Sequence, residues 1–203
     1  NKPGVNDWYE TVKLNYGVDY YAGGNCYFYP VPDTWNKMVD IMLFWAGKGV
    51  DAFRCDMAEM VPSAFWAWAT AKVKDAYPHI IFIGEVYNPA LYRTYIASGF
   101  DFLYDKAGMY DTLRAVTCFH TSANEITAAW QANDDISSHM LYFLENHDEQ
   151  RIASDFFAAD AIKGIPALGV SLLMRNNPFM LYAGQEFGEK GMDEEGFSGR
   201  DGR

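Results

Sequence analysis

The sequence predicts an α/β fold in which parallel strands alternate with helices. Apolar runs of strand length, such as residues 80–84 and 141–144, alternate with segments whose apolar side chains recur at helical spacing. Glycine and proline lie at many of the boundaries between these segments. Consecutive strands that are joined by a helix form a parallel pair with a right-handed crossover. The alternation therefore predicts one parallel sheet with helices packed against it.

A loop, a helix and a strand are predicted for the first part of the chain. Residues 1–30 are rich in Gly, Asn and Tyr and show no sustained period, so we expect a loop. Asp33 or Thr34 is a candidate N-cap, and apolar residues then continue at helical spacing as far as Gly47. Residues 50–54, which follow the turn-like Gly47-Lys48-Gly49, predict a short buried strand that leads to Asp56.

The alternation continues through the rest of the chain. The strand at residues 80–84 is apolar throughout, which is typical of a strand buried on both faces. Pro166 is expected to kink or divide one helix. Further strands are predicted at residues 102–105, 141–144 and 178–182, helices at residues 63–76, 89–97, 111–119, 122–132 and 158–174, a turn at residues 183–188 and a loop at residues 189–203.

The number of strands limits the architecture. Five strands are predicted, whereas a closed (β/α)8 barrel needs eight strands and typically about 250 residues. The sheet is therefore either open, or it is the later five-eighths of a barrel without its first three strands. The chain begins Asn1-Lys2-Pro3, with neither an initiator Met nor a signal-peptide pattern, so we expect an excised or incomplete chain.

Composition excludes several classes of partner. The net charge of −11 would repel nucleic acid and anionic membrane surfaces, and no apolar run is long enough to span a membrane. Neutral ligands fit better, because 17% of the residues are aromatic and offer flat faces for sugar rings. The three cysteines, Cys26, Cys55 and Cys118, are odd in number and widely spaced, which fits neither a disulfide framework nor a metal site.

Three of the predicted strands end on a carboxylate. Arg54 and Asp56 are two residues apart and point the same way in a strand, so the arginine would hold the carboxylate ionised, as a nucleophile requires. Glu85 follows an apolar strand whose surroundings favour a retained proton. Asp148 follows the strand at residues 141–144.

Each of these acids, taken singly, also has an ordinary structural explanation, such as a strand-end ion pair or a helix cap. The carboxyl ends of parallel strands meet on one face, however, so the three groups are expected to converge. One ionised carboxylate and one protonated carboxyl group form the pair that retaining glycoside hydrolysis uses. Gly84, just before Glu85, is expected to leave room for a ligand.

Four segments together resemble the α-amylase family, glycoside hydrolase family 13. Residues 50–56 resemble the motif at the family's fourth barrel strand, residues 83–85 the motif at the fifth, residues 143–148 that at the seventh, and residues 178–186 the segment at the eighth. Order, spacing and strand context agree. The resemblance implies a partial (β/α)8 TIM barrel with strands four to eight and without the first three. Residues 1–203 would be the C-terminal portion of this catalytic domain, and residues 1–30 the loop before its first helix.

The resemblance also implies roles for single residues. Asp56 would be the nucleophile, Glu85 the general acid/base and Asp148 the transition-state stabiliser. The substrate-binding residues would be Arg54, which orients Asp56, together with Asn146 and His147. No cofactor is implied for the chemistry and no metal site in this chain, although members of the family hold structural calcium through an inserted domain largely outside it.

Two departures from the family pattern bear on specificity. The strand-three motif, which supplies an Asp and an Asn-His pair, is absent, and Glu59-Met60 stands where many α-amylases have Lys-His. The expected function is retaining hydrolysis of α-1,4 bonds in starch or malto-oligosaccharides. Alternatives are a transglycosylase or an α-1,6-glucosidase with the same residues, and an inactive carbohydrate-binding fragment that self-associates through exposed barrel edges.

Overall fold

The computed structural model describes residues 14–191 and contains one five-stranded parallel sheet that curls into a half-barrel. The strands lie side by side in chain order, so each crossover adds a strand on the same edge. A short antiparallel hairpin precedes the sheet, so the prediction of a loop was wrong for part of residues 14–30, while residues 1–13 lie outside the described part. The hairpin strands are β1 (Val18–Asp19) and β2 (Asn25–Cys26), and the sheet strands are β3 (Ala52–Cys55), β4 (Ile81–Gly84), β5 (Phe102–Tyr104), β6 (Met140–Phe143) and β7 (Phe179–Met180).

Six α-helices lie within the described residues, one before the sheet and the others between its strands. The predicted helix at residues 63–76 is confirmed at both ends, and the others are confirmed with shorter bounds or a shifted start. The helices are α1 (Asp33–Ala46), α2 (Ser63–Ala76), α3 (Tyr92–Ala97), α4 (Asp111–Thr117), α5 (Glu125–Ala132) and α6 (Ile165–Leu173).

Two details at helix starts differ from the predictions. Pro32 is the N-cap of α1 and makes no side-chain cap, so the prediction of Asp33 or Thr34 as N-cap was wrong. Pro166 lies in the first turn of α6, because the preceding residues Ala161–Gly164 form a separate 3₁₀ turn. Proline fits the first turn, where its missing N–H has no partner to lose.

The core lies between the sheet and the helices and is rich in aromatic rings. Phe65 and Trp66 of α2 pack edge to face at 5.0 Å, and Trp66 packs in the same way on Phe100 at 5.0 Å. Phe82 of β4 lies beneath them and is fully buried. Such edge-to-face packing is a preferred geometry of aromatic pairs. It fixes the helices on the outer face of the sheet.

The inner face of the sheet is more open than predicted. Ile81 is 38% exposed and Ile83 is half-buried, although Phe82 between them is buried, so β4 is not buried on both faces. Side chains alternate along a strand, and only the outer side has helices to cover it. β6, by contrast, is buried throughout. Within residues 14–191, no helix has the length and apolar character that crossing a membrane requires.

Candidate active site

Arg54 of β3 joins the first two predicted acids. Its Nη1 donates a hydrogen bond to Asp56 Oδ1, and its Nη2 lies 3.0 Å from Glu85 Oε1 in an ion pair. Asp56 is open to solvent, with 72% of its side chain exposed, whereas Glu85 is 2% exposed. β3 and β4 are adjacent and parallel, and Cys55 lies opposite Gly84, so their carboxyl ends bring these carboxylates onto one guanidinium.

The Glu85 carboxylate accepts further hydrogen bonds from both sides. The Tyr87 hydroxyl donates to Oε1 at 2.7 Å, and the Met57 backbone N–H donates to Oε2 at 2.8 Å. The backbone joins the same two loops, since Ala58 N–H donates to the Glu85 carbonyl at 2.9 Å. Glu85 is therefore held in one orientation by the residues that follow Asp56 and by its own strand.

Met57 reaches Glu85 through an uncommon backbone conformation. Its φ of 41° lies in the left-handed region, which non-glycine residues rarely adopt. Strain of this kind persists where the surrounding structure holds it, and it concentrates at functional sites. Here the turned backbone points the Met57 N–H at the carboxylate immediately after Asp56.

Arg54 is itself fixed by the inner face of the sheet. Burial lowers the pKa of its guanidinium, but the bonds to Asp56 and Tyr104 and the charge of Glu85 outweigh burial and raise the pKa overall. The Tyr104 ring lies 5.5 Å from the guanidinium carbon, within the range of a cation–π contact. Arg54 is therefore a permanent cation between the two acids.

The third predicted acid lies on a turn that follows β6. Asp148 and His147 are both partly exposed, and the His147 Nε2 is 3.2 Å from Asp148 Oδ2. Asn146 is 1% exposed, and its side-chain oxygen accepts the N–H groups of Asp148 at 2.9 Å and Glu149 at 2.8 Å. The structure thus places Asn146 beneath the turn as a support, and its predicted role in substrate binding stays a prediction.

Glu149 anchors the same turn to the loop after β5. Its carboxylate accepts a hydrogen bond from the Tyr110 hydroxyl at 3.0 Å and lies 3.3 Å from Lys106 Nζ. The ring of Tyr110 in turn stacks on Phe143 of β6 with centroids 4.9 Å apart. The turn that carries His147 and Asp148 is consequently fixed from below.

Tyr87 connects the two halves of the site. Burial is the largest cause of its raised pKa, followed by the hydrogen bond to Glu85 and the charges of Glu85, Asp148 and Glu149. Tyr87 therefore contacts Glu85 and lies within electrostatic range of Asp148. Asp56, Glu85 and Asp148, with Arg54 and His147, occupy the same end of the sheet.

The structure explains the glycine at position 84 differently from the prediction. A Cβ there would lie 2.8 Å from Leu103 Cδ2 and 2.9 Å from Phe100 Cδ1, both of which belong to buried side chains. The glycine therefore makes room for the core and not for a ligand, because β4 turns this position toward the helices.

The supporting residues Tyr87, Met57 and Glu149 were not predicted. Tyr87 is two residues after Glu85, so the two-residue repeat of an extended chain was a usable signal. The Met57 contact is a backbone donor, for which the sequence carries no signal. Glu149 lies next to Asp148 but is fixed by residues about forty positions away.

Other features of the described residues lie apart from this cluster. A cavity of about 520 Å³ lies between α4 and the segment 155–163, and it includes none of the predicted site residues. No group of three or more His, Cys, Asp or Glu side chains within residues 14–191 is arranged to hold a metal ion.

Comparison with known families gives one extended match. Residues 27–202 match the family model described as alpha amylase, catalytic domain. The match covers most of the chain and includes Arg54, Asp56, Glu85, His147 and Asp148.

Two curated relatives show similarity of different extent. Alpha-amylase MalA of Haloarcula japonica is 35% identical over 167 residues, which is 78% of this chain and 23% of that protein. The alpha-1,4-glucan:maltose-1-phosphate maltosyltransferase of Cereibacter sphaeroides is 37% identical over 66 residues, or 32% of this chain and 11% of that protein. The chain thus spans less than a quarter of either relative.

A solved structure agrees with the half-barrel. The alpha-amylase from Geobacillus thermoleovorans, complexed with acarbose, superposes with a TM-score of 0.70 at 21% sequence identity. The alignment covers 88% of this chain and 40% of that one. At this identity the likeness supports the fold, in which the five strands form part of a (β/α)8 barrel.

Proposed function

The chain belongs to the α-amylase family of catalytic domains, and from this we propose that its protein is a retaining hydrolase of α-1,4-glucosidic bonds. The substrate class is starch or malto-oligosaccharides. The observation that carries the proposal is the single guanidinium of Arg54 between Asp56 and Glu85. It contacts one exposed and one buried carboxylate, and retaining hydrolysis uses such a pair on one glycosidic bond.

The two carboxylates differ in a way that suits two roles. Asp56 is open on the solvent side, so its oxygen can attack the anomeric carbon and form a covalent glycosyl-enzyme intermediate. Glu85 would protonate the oxygen of the leaving sugar in the first step and deprotonate water in the second. Arg54 stays charged throughout and donates a hydrogen bond that orients Asp56.

Tyr87 is a suitable hydrogen-bond partner for Glu85, which must gain and lose a proton. A hydroxyl both donates and accepts hydrogen bonds, so Tyr87 can keep its contact with Glu85 whether or not the carboxyl carries a proton. The Arg54 and Met57 donors lack this freedom. Asp148 would stabilise the positive charge that develops on the sugar, and His147 would bind sugar hydroxyls beside it.

The test is reducing-sugar release from soluble starch by the chain and by Glu85→Gln. We expect the substitution to lower the rate by about two orders of magnitude or more, because it removes the general acid. A folded Glu85→Gln variant as active as the parent would contradict the acid role. A folded parent chain without any activity would instead favour an inactive carbohydrate-binding fragment.

A second measurement tests the role of the proton itself. An activated glycosyl donor, such as a maltosyl fluoride, needs little protonation of its leaving group. Glu85→Gln should therefore slow the first step with the fluoride much less than with starch. Equal slowing of both donors would show that Glu85 does not act as the acid.

Transfer to a sugar acceptor is the alternative that one observation favours. The relative named as a maltosyltransferase is 37% identical to this chain over 66 residues, and a sugar hydroxyl can replace water as the acceptor from the same covalent intermediate. Product analysis with maltoheptaose separates the two reactions. Only shorter products are expected for hydrolysis, whereas products longer than the substrate indicate transfer. Glucose from isomaltose, or maltotriose from pullulan, would indicate cleavage of α-1,6 bonds.

A further inference from the structure

The hairpin before α1 presents four tyrosine rings to solvent. Tyr20 and Tyr21 lie in the turn between β1 and β2, and Tyr27 and Tyr29 follow β2. Their exposed fractions are 73%, 85%, 62% and 95%, respectively. Single exposed aromatic residues are ordinary, but four within ten residues form a patch that calls for an explanation. We refer to these four residues as the tyrosine hairpin.

Contacts of other residues hold the hairpin in place. Two other aromatic residues of the segment turn inward: Tyr16 packs on Phe65 at 4.9 Å and Phe28 packs on Trp35 at 5.1 Å. Trp35 Nε1 also donates to the Tyr16 carbonyl at 3.1 Å. Because Phe28 points inward, its neighbours Tyr27 and Tyr29 point outward, as side chains alternate along an extended chain.

The turn at the tip is fixed as well. Asp19 Oδ1 accepts the backbone N–H groups of Tyr21 at 3.0 Å and of Ala22 at 3.1 Å. Gly23 and Gly24 both have positive φ, which suits the tight return to β2. Gly17 leaves no space for a Cβ, which would lie 2.6 Å from the Tyr27 carbonyl oxygen. The exposed rings are thus carried by a defined scaffold.

The direction of α1 places the hairpin at the catalytic end of the sheet. α1 ends at Ala46, shortly before β3 begins at Ala52, so its first residue, Asp33, lies at the opposite end, where β3 finishes. The hairpin connects to that first residue. It therefore lies on the same face as Asp56 and Glu85.

An electrostatic contact supports this placement independently. Tyr95 donates hydrogen bonds to the carbonyls of Glu59 and Val61, in the loop that follows Asp56. Burial, then Glu59, then Tyr20 raise the pKa of Tyr95 to about 12. Tyr20 consequently lies near the loop that leads away from the candidate nucleophile.

We propose that the tyrosine hairpin is an additional binding surface for an α-1,4-glucan chain, which contacts sugar units beyond the bond that is cleaved. This inference rests on the proposed function for its ligand class. A tyrosine ring offers an apolar face for the C–H side of a pyranose and a hydroxyl for its polar rim. The net charge of −11 disfavours anionic polymers on this surface.

The test is the affinity of the 203-residue chain for maltoheptaose, measured by titration calorimetry in the Glu85→Gln background so that the ligand is not consumed. The double substitution Tyr27→Ala/Tyr29→Ala should weaken binding about tenfold, and Tyr20→Ala/Tyr21→Ala should act in the same direction. Tyr27→Phe/Tyr29→Phe keeps the rings and should bind within about twofold of the parent.

Phe119→Ala is the matched control. Phe119 is an exposed ring beyond the C-terminal end of α4, which follows β5, and β5 lies two strands away from β3 in the sheet. Its loss should leave the affinity unchanged. Circular dichroism of each variant shows that the fold is retained, which we expect because the substituted rings are exposed.

Three results would overturn the proposal. The first is that the alanine variants bind maltoheptaose as tightly as the parent, and the second is that the parent does not bind maltoheptaose. The third is that the variants change only the sedimentation of the chain, which would identify a second copy of the chain as the occupant. Failure of the catalytic proposal is a separate result: Glu85→Gln would then release sugar as fast as the parent, while the effect of the tyrosines on binding would stand.

Discussion

Arg54 organises the candidate site at the scale of single residues. It contacts both Asp56 and Glu85, yet their surroundings differ, since the first is largely exposed and the second is buried. A buried carboxyl surrounded by fixed donors and an exposed carboxylate with room for a substrate are suited to different steps of one reaction. The proposed division of roles therefore rests on the difference in burial and not on residue type, because both are carboxylic acids.

Asp56→Asn should abolish turnover of starch, lowering the rate by about three orders of magnitude or more, because an amide is a poor nucleophile. Its stability to urea should change little, because the side chain is exposed. Asp51→Asn is the control, since Asp51 is an exposed carboxylate just before the start of β3, whereas Asp56 follows its end. Normal starch hydrolysis by Asp56→Asn would remove Asp56 from the mechanism.

At the scale of elements, each sheet strand carries one side toward the helices and one toward the interior of the half-barrel. Gly84 and Asp105 show how closely the helical side and the strand ends are packed. Gly84 faces buried Leu103 and Phe100, and Asp105 is enclosed where β5 ends. These two positions give stability predictions that are independent of the catalytic proposal.

Gly84→Ala should lower the free energy of unfolding by about 1–3 kcal/mol, because the new Cβ would overlap two side chains that have no room to move. Gly169→Ala is the matched control. Gly169 lies within α6, and a Cβ added there would meet no atom within 4 Å, so alanine should raise the stability by about 0.5–1 kcal/mol. Urea denaturation of the three chains measures both effects, and equal stability of Gly84→Ala and the parent would contradict the packing argument.

Asp105 should make stability depend on pH. Burial is the main cause that raises its pKa to about 6, against opposing hydrogen bonds from Met109 and Gly108. The folded chain therefore holds this proton more tightly than the unfolded chain. Below about pH 4, Asp105 does not change the free energy of unfolding. As the pH rises toward 6 and beyond, Asp105 lowers that free energy, by on the order of 3 kcal/mol in the limit.

Asp105→Asn keeps the acceptor oxygen for the Met109 N–H and removes the charge. The variant should therefore gain stability relative to the parent between pH 4 and pH 6 and keep that gain at pH 7. Urea denaturation at several pH values measures the difference. Asp75→Asn, at an exposed position, should show no such gain. A difference in stability between Asp105→Asn and the parent that does not change with pH would refute burial of the Asp105 charge as the cause.

At the scale of the whole molecule, the half-barrel has two open sheet edges and two partly uncovered helices. Within the described part of the chain, β3 pairs only with β4, and β7 pairs only with β6. The two outermost helices, α1 and α6, carry exposed apolar side chains, namely Ile41, Phe44, Trp45, Ile165, Leu172 and Leu173. Open edges and apolar patches of this kind favour association.

We expect the 203-residue chain to self-associate as its concentration is raised about tenfold or more, because association through these faces follows mass action. Sedimentation velocity measures this directly. Leu172→Lys/Leu173→Lys should shift the chain toward monomer, whereas Phe119→Lys, an exposed position outside both helices, should not. A parent that remains monomeric at every concentration would contradict the expectation.

Much of the architecture was accessible from local patterns. The helix at residues 63–76, the order of the five strands and the position of acids at strand ends all follow from periodicity over a few residues. The reason for Gly84, the burial of Asn146 and the exposure of Ile81 were not accessible in this way. Each depends on a neighbour from another element or on the uncovered inner face of the sheet.

The sequence by itself determined the α/β class, the five strands and the chemistry available at their ends, because side-chain period and residue type are local properties. Only the tertiary structure decided which groups meet: Arg54 with both acids, Tyr87 and the Met57 N–H on Glu85, and Glu149 beneath Asp148. These contacts join residues separated by up to about forty positions, and their geometry depends on strand register and packing, which no local pattern encodes.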